Sequence, residues 1–263
     1  MGIDIAIIAP TTALDLSSKG DIYMCLAWLA LQNADYKAYF KKKAEQGEFV
    51  ILDNGENEKK QITGDTLIEL AIEIGAKELV LPDTFRDTKD TMRKVIEFLR
   101  KYRKRLRQHK IRTMAVVQGD TIPNALQHYR TYSKMAEIDT IGLGFDNYYT
   151  LEHPDKTQGG MFTRLLLTET ISKHVPSRRL KTVHLLGLYN PIELKYQAKH
   201  TWIRSNDSSA PVLCAAHNIL IRRDKGIKKK PAKYLNFTGC LSKAEYALAE
   251  RNIEIMHNFK EGL

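Results

Sequence analysis

Nothing in the 263 residues approaches the roughly 18 consecutive apolar positions that span a bilayer. The apolar stretch 3–10 is short, lacks a basic leader and ends without a small-residue cleavage site, so it reads as a first buried strand. Cysteine is scarce. Cys25, Cys214 and Cys240 stand too far apart for a disulfide framework, and no Cys-x-x-Cys or paired Cys/His spacing offers a zinc site. Such thiols suit a reducing compartment, and a cytoplasmic location is expected. A Gly-x-Gly-x-x-Gly turn is missing after the first strand, where Pro10-Thr11-Thr12 stands, which counts against an open doubly wound sheet. Linkers, repeats and low-complexity tracts are missing too, which argues for one domain over residues 1–263.

Positive charge is what the chain has in excess, +10 at neutral pH, and it is concentrated in two blocks. The first, 93–112, includes Arg100, Lys101, Arg103, Lys104, Arg105 and Arg107 and reads as the solvated face of a helix. The second, 222–233, includes Arg222, Arg223, Lys225, Lys228, Lys229, Lys230 and Lys233, interrupted by Pro231. It reads as a loop suited to a polyanion, since each cation near a phosphate releases condensed counterions.

Short β-branched or apolar runs alternate with longer helical patterns. The runs are 3–9, 49–52, 79–81, 113–117, 140–143, 182–186, 201–204 and 212–215. Strands alternating with helices imply parallel β-α units, and eight of them in this length imply a closed (β/α)8 TIM-type barrel. Helix starts are marked by Asp87 with Asp90, by Asn190-Pro191 with Glu193, and by the capping box Ser242-x-x-Glu245. The last of these opens a C-terminal helix over about 242–259.

The informative residues end the strands. Asp53-Asn54-Gly55, Pro82-Asp83, Gln118-Gly119, Gly142-Leu143-Gly144, Gly187 and Ser205-Asn206-Asp207 each close a run. In a (β/α)8 barrel those ends form the active-site face. Taken singly, each aspartate is more often a cap or turn residue than a functional one; the ordered set converging on one mouth points to chemistry. A planar purine has an N–H edge that suits a carboxylate such as Asp83 and a carbonyl that suits Gln118 or a glycine N–H. Asp53 and Asp207 would then permit glycosidic chemistry, one attacking the anomeric carbon while the other handles protons.

From about residue 7 to 218 these stretches resemble the tRNA-guanine transglycosylase superfamily, and within it the phage DNA-guanine transglycosylases, which put 7-deazaguanines into DNA. The resemblance is carried by Leu52-Asp53-Asn54-Gly55, Val80-Leu81-Pro82-Asp83, Val116-Val117-Gln118-Gly119, Ile141-Gly142-Leu143-Gly144, Leu185-Leu186-Gly187 and Asn206-Asp207-Ser208-Ser209. It implies a pentosyltransferase that exchanges guanine in DNA for a free 7-deazaguanine base. Asp207 would be the nucleophile of a covalent glycosyl-enzyme and Asp53 the general acid/base. Asp83, Gln118, Gly119, Gly142, Gly144 and Gly187 would surround the base. For a phage protein the compartment would be the host cytoplasm.

The chain departs from the tRNA enzymes in three ways. It lacks their clustered zinc ligands, so neither metal nor cofactor is expected. Ser208-Ser209-Ala210-Pro211 replaces their Leu/Met-Pro-Thr-Arg, and Glu56-Asn57-Glu58 replaces their glycine and aromatic residue. A tRNA-acting enzyme and a non-catalytic nucleic-acid-binding barrel are the alternatives. A barrel for phosphorylated metabolites is disfavoured, because 205–216 contains no glycine for a phosphate site.

A base in a duplex stack cannot reach a barrel mouth, so the target guanine must be flipped out or single-stranded. The mouth is acidic on this reading, and the block at 222–233, whose start is expected on the mouth side, must hold the phosphates. Neutralising Lys228, Lys229 and Lys230 should therefore flatten the salt dependence of DNA binding by up to about 0.9 in log–log slope for each phosphate no longer neutralised. The same change at Arg103, Lys104 and Arg105 should matter less. A salt titration checks this, and the opposite ranking would move DNA to the helix face.

Overall fold

Buried runs such as Val50-Ile51-Leu52 and Ala115-Val116-Val117 are apolar without alternation, the pattern of parallel strands covered on both faces. The computed structural model describes residues 2–56, 62–145, 156–227, 231 and 235–261. Its strands are β1 (Asp4–Ile7), β2 (Tyr23–Leu26), β3 (Val50–Asp53), β4 (Glu78–Val80), β5 (Arg112–Val117), β6 (Thr140–Gly144), β7 (Thr182–Leu186) and β8 (Ile203–Ser208). The helices are α1 (Ala27–Gln32), α2 (Ala34–Glu45), α3 (Gly64–Ile74), α4 (Thr88–Gln108), α5 (Ile122–Tyr132), α6 (Lys156–His174), α7 (Ile192–Gln197), α8 (Ala210–Ala215) and α9 (Lys243–Glu261). Every ladder is parallel, in the order β1-β8-β7-β6-β5-β4-β3-β2, and a parallel bridge from Ala6 to Ile22 all but closes the ring. The expected (β/α)8 barrel with a C-terminal helix is therefore what forms. Among the described residues no helix is long and apolar enough to cross a membrane.

Local signals explain most boundaries. Asp87 accepts from Asp90 N at 2.9 Å and caps α4. Ser242 and Glu245 bond reciprocally, Ser242 N to Glu245 Oε2 at 2.7 Å and Glu245 N to Ser242 Oγ at 3.3 Å, at the start of α9. Glu193 behaves differently from expectation. Instead of reaching back to the start of α7 it is buried and takes Nε and Nη2 of Arg164 at 2.7 and 2.8 Å.

One strand is not anticipated from the sequence, and one strand expectation needs correction. Tyr23–Leu26 is a strand, although its four residues alternate no more clearly than a helix start would. Residues 212–215 belong to α8, where Pro211 sits in the first turn. A short apolar run buried on all sides has no periodicity to separate strand from helix. Asp207 accordingly lies within β8, the eighth strand, which continues through Ser205-Asn206-Asp207-Ser208 instead of stopping at 204. Most of that strand's polar groups find partners, such as Asn206 Nδ2 to Asp4 O at 3.1 Å and Ser208 Oγ to Leu188 O at 2.6 Å, while Asn206 Oδ1 is buried without one among the described residues.

The floor of the barrel is ionic. Glu78 of β4 is fully buried and accepts Arg204 Nη2 of β8 at 2.6 Å, Arg112 Nε of β5 at 3.3 Å, and the Thr140 hydroxyl of β6. Burial alone would raise its carboxyl, but the Arg204 hydrogen bond and charge, with Thr140 and Arg112, hold it below the ordinary value. β4 and β8 are four strands apart in the ring, so these side chains meet across the interior. They identify which face of each strand points inward. Arg112 thus belongs to the floor and not to the outer basic face expected of 93–112.

Arg164 is the largest fully buried side chain, and besides Glu193 it donates from Nη1 to Leu143 O at 3.1 Å and Leu186 O at 2.7 Å. It thereby fixes the upper ends of β6 and β7. Glu193→Ala leaves this guanidinium buried without its counter-charge and should lower stability by about 3–5 kcal/mol in urea unfolding. A loss within about 1 kcal/mol, the range of exposed pairs, would show that the pair is dispensable.

Candidate active site

The inward set includes Ile51 and Glu78, which share a register, and therefore Asp53 two residues beyond Ile51. Arg112 points inward, and so by alternation does Gln118, just past the end of β5. His184 is in register with Gly142 on one side and Ser205 on the other, which puts Asp207 inside as well. The ladder between β7 and β8 shifts between Val183 and His184, so that Arg204 is an extra residue, a β-bulge. The carboxylates of Asp53 and Asp207 therefore both belong to the rim of the barrel interior, at the C-terminal ends of β3 and β8.

Asp207 is buried, and its Oδ1 accepts the Gly187 N–H at 2.9 Å and His184 Nε2 at 3.2 Å. Its Oδ2 has no hydrogen-bond donor among the described residues. Gly187 has φ +66, the left-handed region in which a side chain is strained, and this conformation presents its N–H to the carboxylate. That donor serves Asp207, so it is not available to hold a purine as expected. Asp53 Oδ2 accepts Gly55 N at 2.9 Å, and Asn54 Oδ1 accepts Glu56 N at 2.9 Å. The Asp-Asn-Gly stretch is thus both a turn and the carrier of a rim carboxylate.

Asp83 is gripped between neighbouring strand ends. Asn54 Nδ2 donates to its Oδ1 at 2.7 Å and Gln118 Nε2 to its Oδ2 at 2.6 Å. Gln118 Oε1 in turn accepts Arg86 N at 2.8 Å, and Asn54 Nδ2 also reaches Leu81 O at 2.8 Å. Burial pushes the Asp83 carboxyl up to about 6, against the pull of the two amides, and the nearby Glu56 adds to the rise. Behind Gln118 lies His128, whose burial pulls it down to about 4, packed on the Tyr132 ring at 4.3 Å.

Of the glycines, Gly144 ends β6 at the rim, whereas Gly142 is one layer deeper. A Cβ on Gly142 would stand 2.8 Å from Leu186 Cδ1 and 3.4 Å from Met114 Sδ, so its smallness is a packing requirement of the interior. Gly119 abuts the first turn of α5 at Ala125. Arg222 pairs with Asp224 at 2.9 Å, and Arg223 borders a groove with Ile255, Asn258 and Phe259 of α9. Arg222 and Arg223 thus lie toward α9, while the described end of the block meets the turn after β7, on the mouth side, where Ile227 N donates to Asn190 Oδ1 at 3.1 Å. Lys228, Lys229 and Lys230 lie outside the described residues. On α4, Arg93 pairs with Asp90 and Glu97, while Lys101 and Arg105 pair with Asp65 and Glu69 of α3, so part of that block is neutralised locally.

Sequence reading missed His184, Ser205 and Asn54. Only the alternation in Thr182-Val183-His184-Leu185-Leu186, which puts His184 on one face with Thr182 and Leu186, could have marked the histidine. Among the described residues no three His, Cys, Asp or Glu side chains are grouped as a metal would require.

No family model matches the chain, and no curated protein does. Among solved structures it is similar to an Aquifex aeolicus VF5 protein of unstated function, at 10% identity and TM-score 0.54 over 100% of this chain and 93% of that one. Looser likenesses are a D-psicose 3-epimerase solved with D-fructose (8%, TM-score 0.47, 99% and 96% covered) and a citrate synthase variant (15%, TM-score 0.39, 73% and 87%). At such identities likeness speaks to the fold alone.

The raised Asp83 carboxyl has a consequence for stability. Below its unfolded value, near 4, it is protonated in both states; between there and about 6 only the native state keeps the proton. Its contribution to stability is thus present at low pH and lost as pH rises through about 6, by on the order of 2–3 kcal/mol. Asp83→Asn cannot lose it. The stability of the variant minus that of the wild type, from urea unfolding at pH 4 and 7, should become more positive with pH. A difference that stays level would show that Asp83 titrates normally.

Proposed function

We propose that this barrel is an enzyme, a guanine transglycosylase that exchanges guanine in DNA for a 7-deazaguanine. The observation that carries the reading is Asp207: an interior rim carboxylate with two donors on one oxygen and none, among the described residues, on the other. A carboxylate held this way is oriented yet keeps a free lone pair for attack.

In the first step Asp207 Oδ2 bonds to the anomeric carbon while the C–N glycosidic bond breaks, its electron pair leaving with guanine. The departing nitrogen is protonated by the acid form of Asp53. In the second step the incoming base gives its N–H proton to the carboxylate of Asp53. Its nitrogen then bonds to the anomeric carbon and the ester bond to Asp207 breaks, restoring both carboxyl groups.

Asp83 supports recognition of the base. At about 6 it is mostly ionised at neutral pH and is acceptor-only, the partner that a purine's ring N–H and exocyclic amine need. Those donors would replace the amide hydrogens of Asn54 and Gln118, like for like, so the buried carboxylate is never left bare. Phe85, two residues on, is half-exposed, a ring where an aromatic stacking partner is otherwise missing from the Asp53 turn. The missing zinc-ligand spacing favours DNA over tRNA, while the charge of +10 suits either polymer.

Asp207→Ala should abolish base exchange and any covalent enzyme–DNA species, with the fold retained by circular dichroism. Asp53→Asn should slow exchange by about two or more orders of magnitude. Exchange is read by nucleoside mass spectrometry of DNA and of tRNA incubated with enzyme and a 7-deazaguanine. Wild-type rates in either variant would remove that residue from the mechanism, and incorporation into tRNA alone would reverse the choice of polymer.

A further inference from the structure

A row of polar side chains, part-exposed at Arg204 and buried beyond it, runs inside the barrel from its floor to Asp207. Arg204 Nε lies 3.0 Å from Ser205 Oγ, Ser205 Oγ 2.8 Å from His184 Nδ1, and His184 Nε2 3.2 Å from Asp207 Oδ1. The Arg204 end is anchored by Glu78, which takes its Nη2 at 2.6 Å. Ser205 and His184 are both fully buried, so water does not compete for these bonds.

The direction of the row is set at its two ends, because a guanidinium has only hydrogens to give and the Asp207 carboxylate can only accept. His184 Nε2 must hold a hydrogen for Asp207, so in a ring with one hydrogen Nδ1 is left to accept from the Ser205 hydroxyl, whose oxygen accepts from Arg204. A ring nitrogen that accepts carries no hydrogen, so the ring's hydrogen stands on Nε2 and is donated to Asp207. The Gly187 N–H reaches the same Oδ1 at 2.9 Å.

We infer that His184 is a positioning residue for the nucleophile: the Arg204–Ser205 pair holds its ring in the Nε2–H tautomer, and the ring pins Asp207 Oδ1 so that Oδ2 is the attacking oxygen. This rests on the transglycosylase reading for its catalytic meaning, but the hydrogen-bond order does not. A histidine that merely filled the core would not need a particular tautomer. One that orients a carboxylate does, because the other tautomer would set a bare nitrogen lone pair against the negative oxygen.

The test has two arms. Long-range proton–nitrogen NMR of the whole protein labelled with 15N-histidine reads the tautomer directly, with His184 identified by its loss in His184→Gln or its shift in Asp207→Asn. The wild type should show the hydrogen on Nε2, and Ser205→Ala should mix the tautomers; a hydrogen on Nδ1 in the wild type overturns the inference. In the kinetic arm, His184→Phe should lower kcat for base exchange by roughly 100-fold with KM unchanged, since a slightly misplaced nucleophile loses rate and not binding. His184→Gln, which keeps an N–H donor, should restore most of that loss.

A folded Phe variant at the wild-type rate, or a folded Gln variant as slow as Phe, counts against the role. Where the Phe variant melts below the assay temperature, Ser205→Ala takes its place, with an expected fall of about 10-fold in kcat alone. If the wild type itself exchanges no base, the transglycosylase reading falls, while the tautomer still upholds or overturns the row.

Discussion

The ion pair between Glu78 and Arg204 is the constraint on which the rest of the interior depends. It joins β4 to β8 across the barrel, with both Glu78 oxygens engaged and the carboxylate out of water. A buried carboxylate is tolerable only with such partners. Arg204 must therefore point inward. It does so as the extra residue of a bulge, next to Ser205, which points inward too. Beyond the bulge the alternation of β8 is inverted relative to an unbroken ladder. Without that shift His184 would face Arg204, and Asp207 would be carried to the outer face with the helices. The floor and the rim of this barrel are thus one problem, solved by one irregularity.

The rim is finished by groups that satisfy one another before any ligand arrives. Asn54 and Gln118 hold Asp83, and backbone N–H groups hold Asn54 and Gln118 in their turn. Burial still outweighs the amides, as the raised carboxyl shows. On the opposite side, Arg164 ties the upper ends of β6 and β7 through two carbonyls and is neutralised by Glu193. It lets Gly187 hold its left-handed turn and keep its N–H on Asp207.

The surface charge is organised less simply than a count of lysines and arginines suggests. α4 shares its cations with acids of its own and of α3, and Arg112 is drawn into the floor. Arg222 is paired with Asp224 beside α9. Exposed pairs of this kind are worth little to stability, but they reduce the field that a polyanion would meet.

Sequence alone pointed to the barrel, because seven of its eight strands stand out as apolar runs separated by helical patterns with capping signals, although the count of eight takes in a helix, 212–215, in place of Tyr23–Leu26. It also determined that Asp53, Asp83 and Gln118 stand at or just beyond the ends of their strands, since each closes an apolar run, Asp83 after Pro82. It could not separate Tyr23–Leu26 from a helix start or 212–215 from a strand, because a run buried on every side carries no period. Above all, it could not tell which way Asp207 faces. Counting by twos along a strand assumes an unbroken ladder, and the bulge at Arg204 is imposed by a carboxylate on the far side of the barrel, 126 residues away in the chain. Only the tertiary structure brings Glu78 and Arg204 together, and with them the row that ends on Asp207.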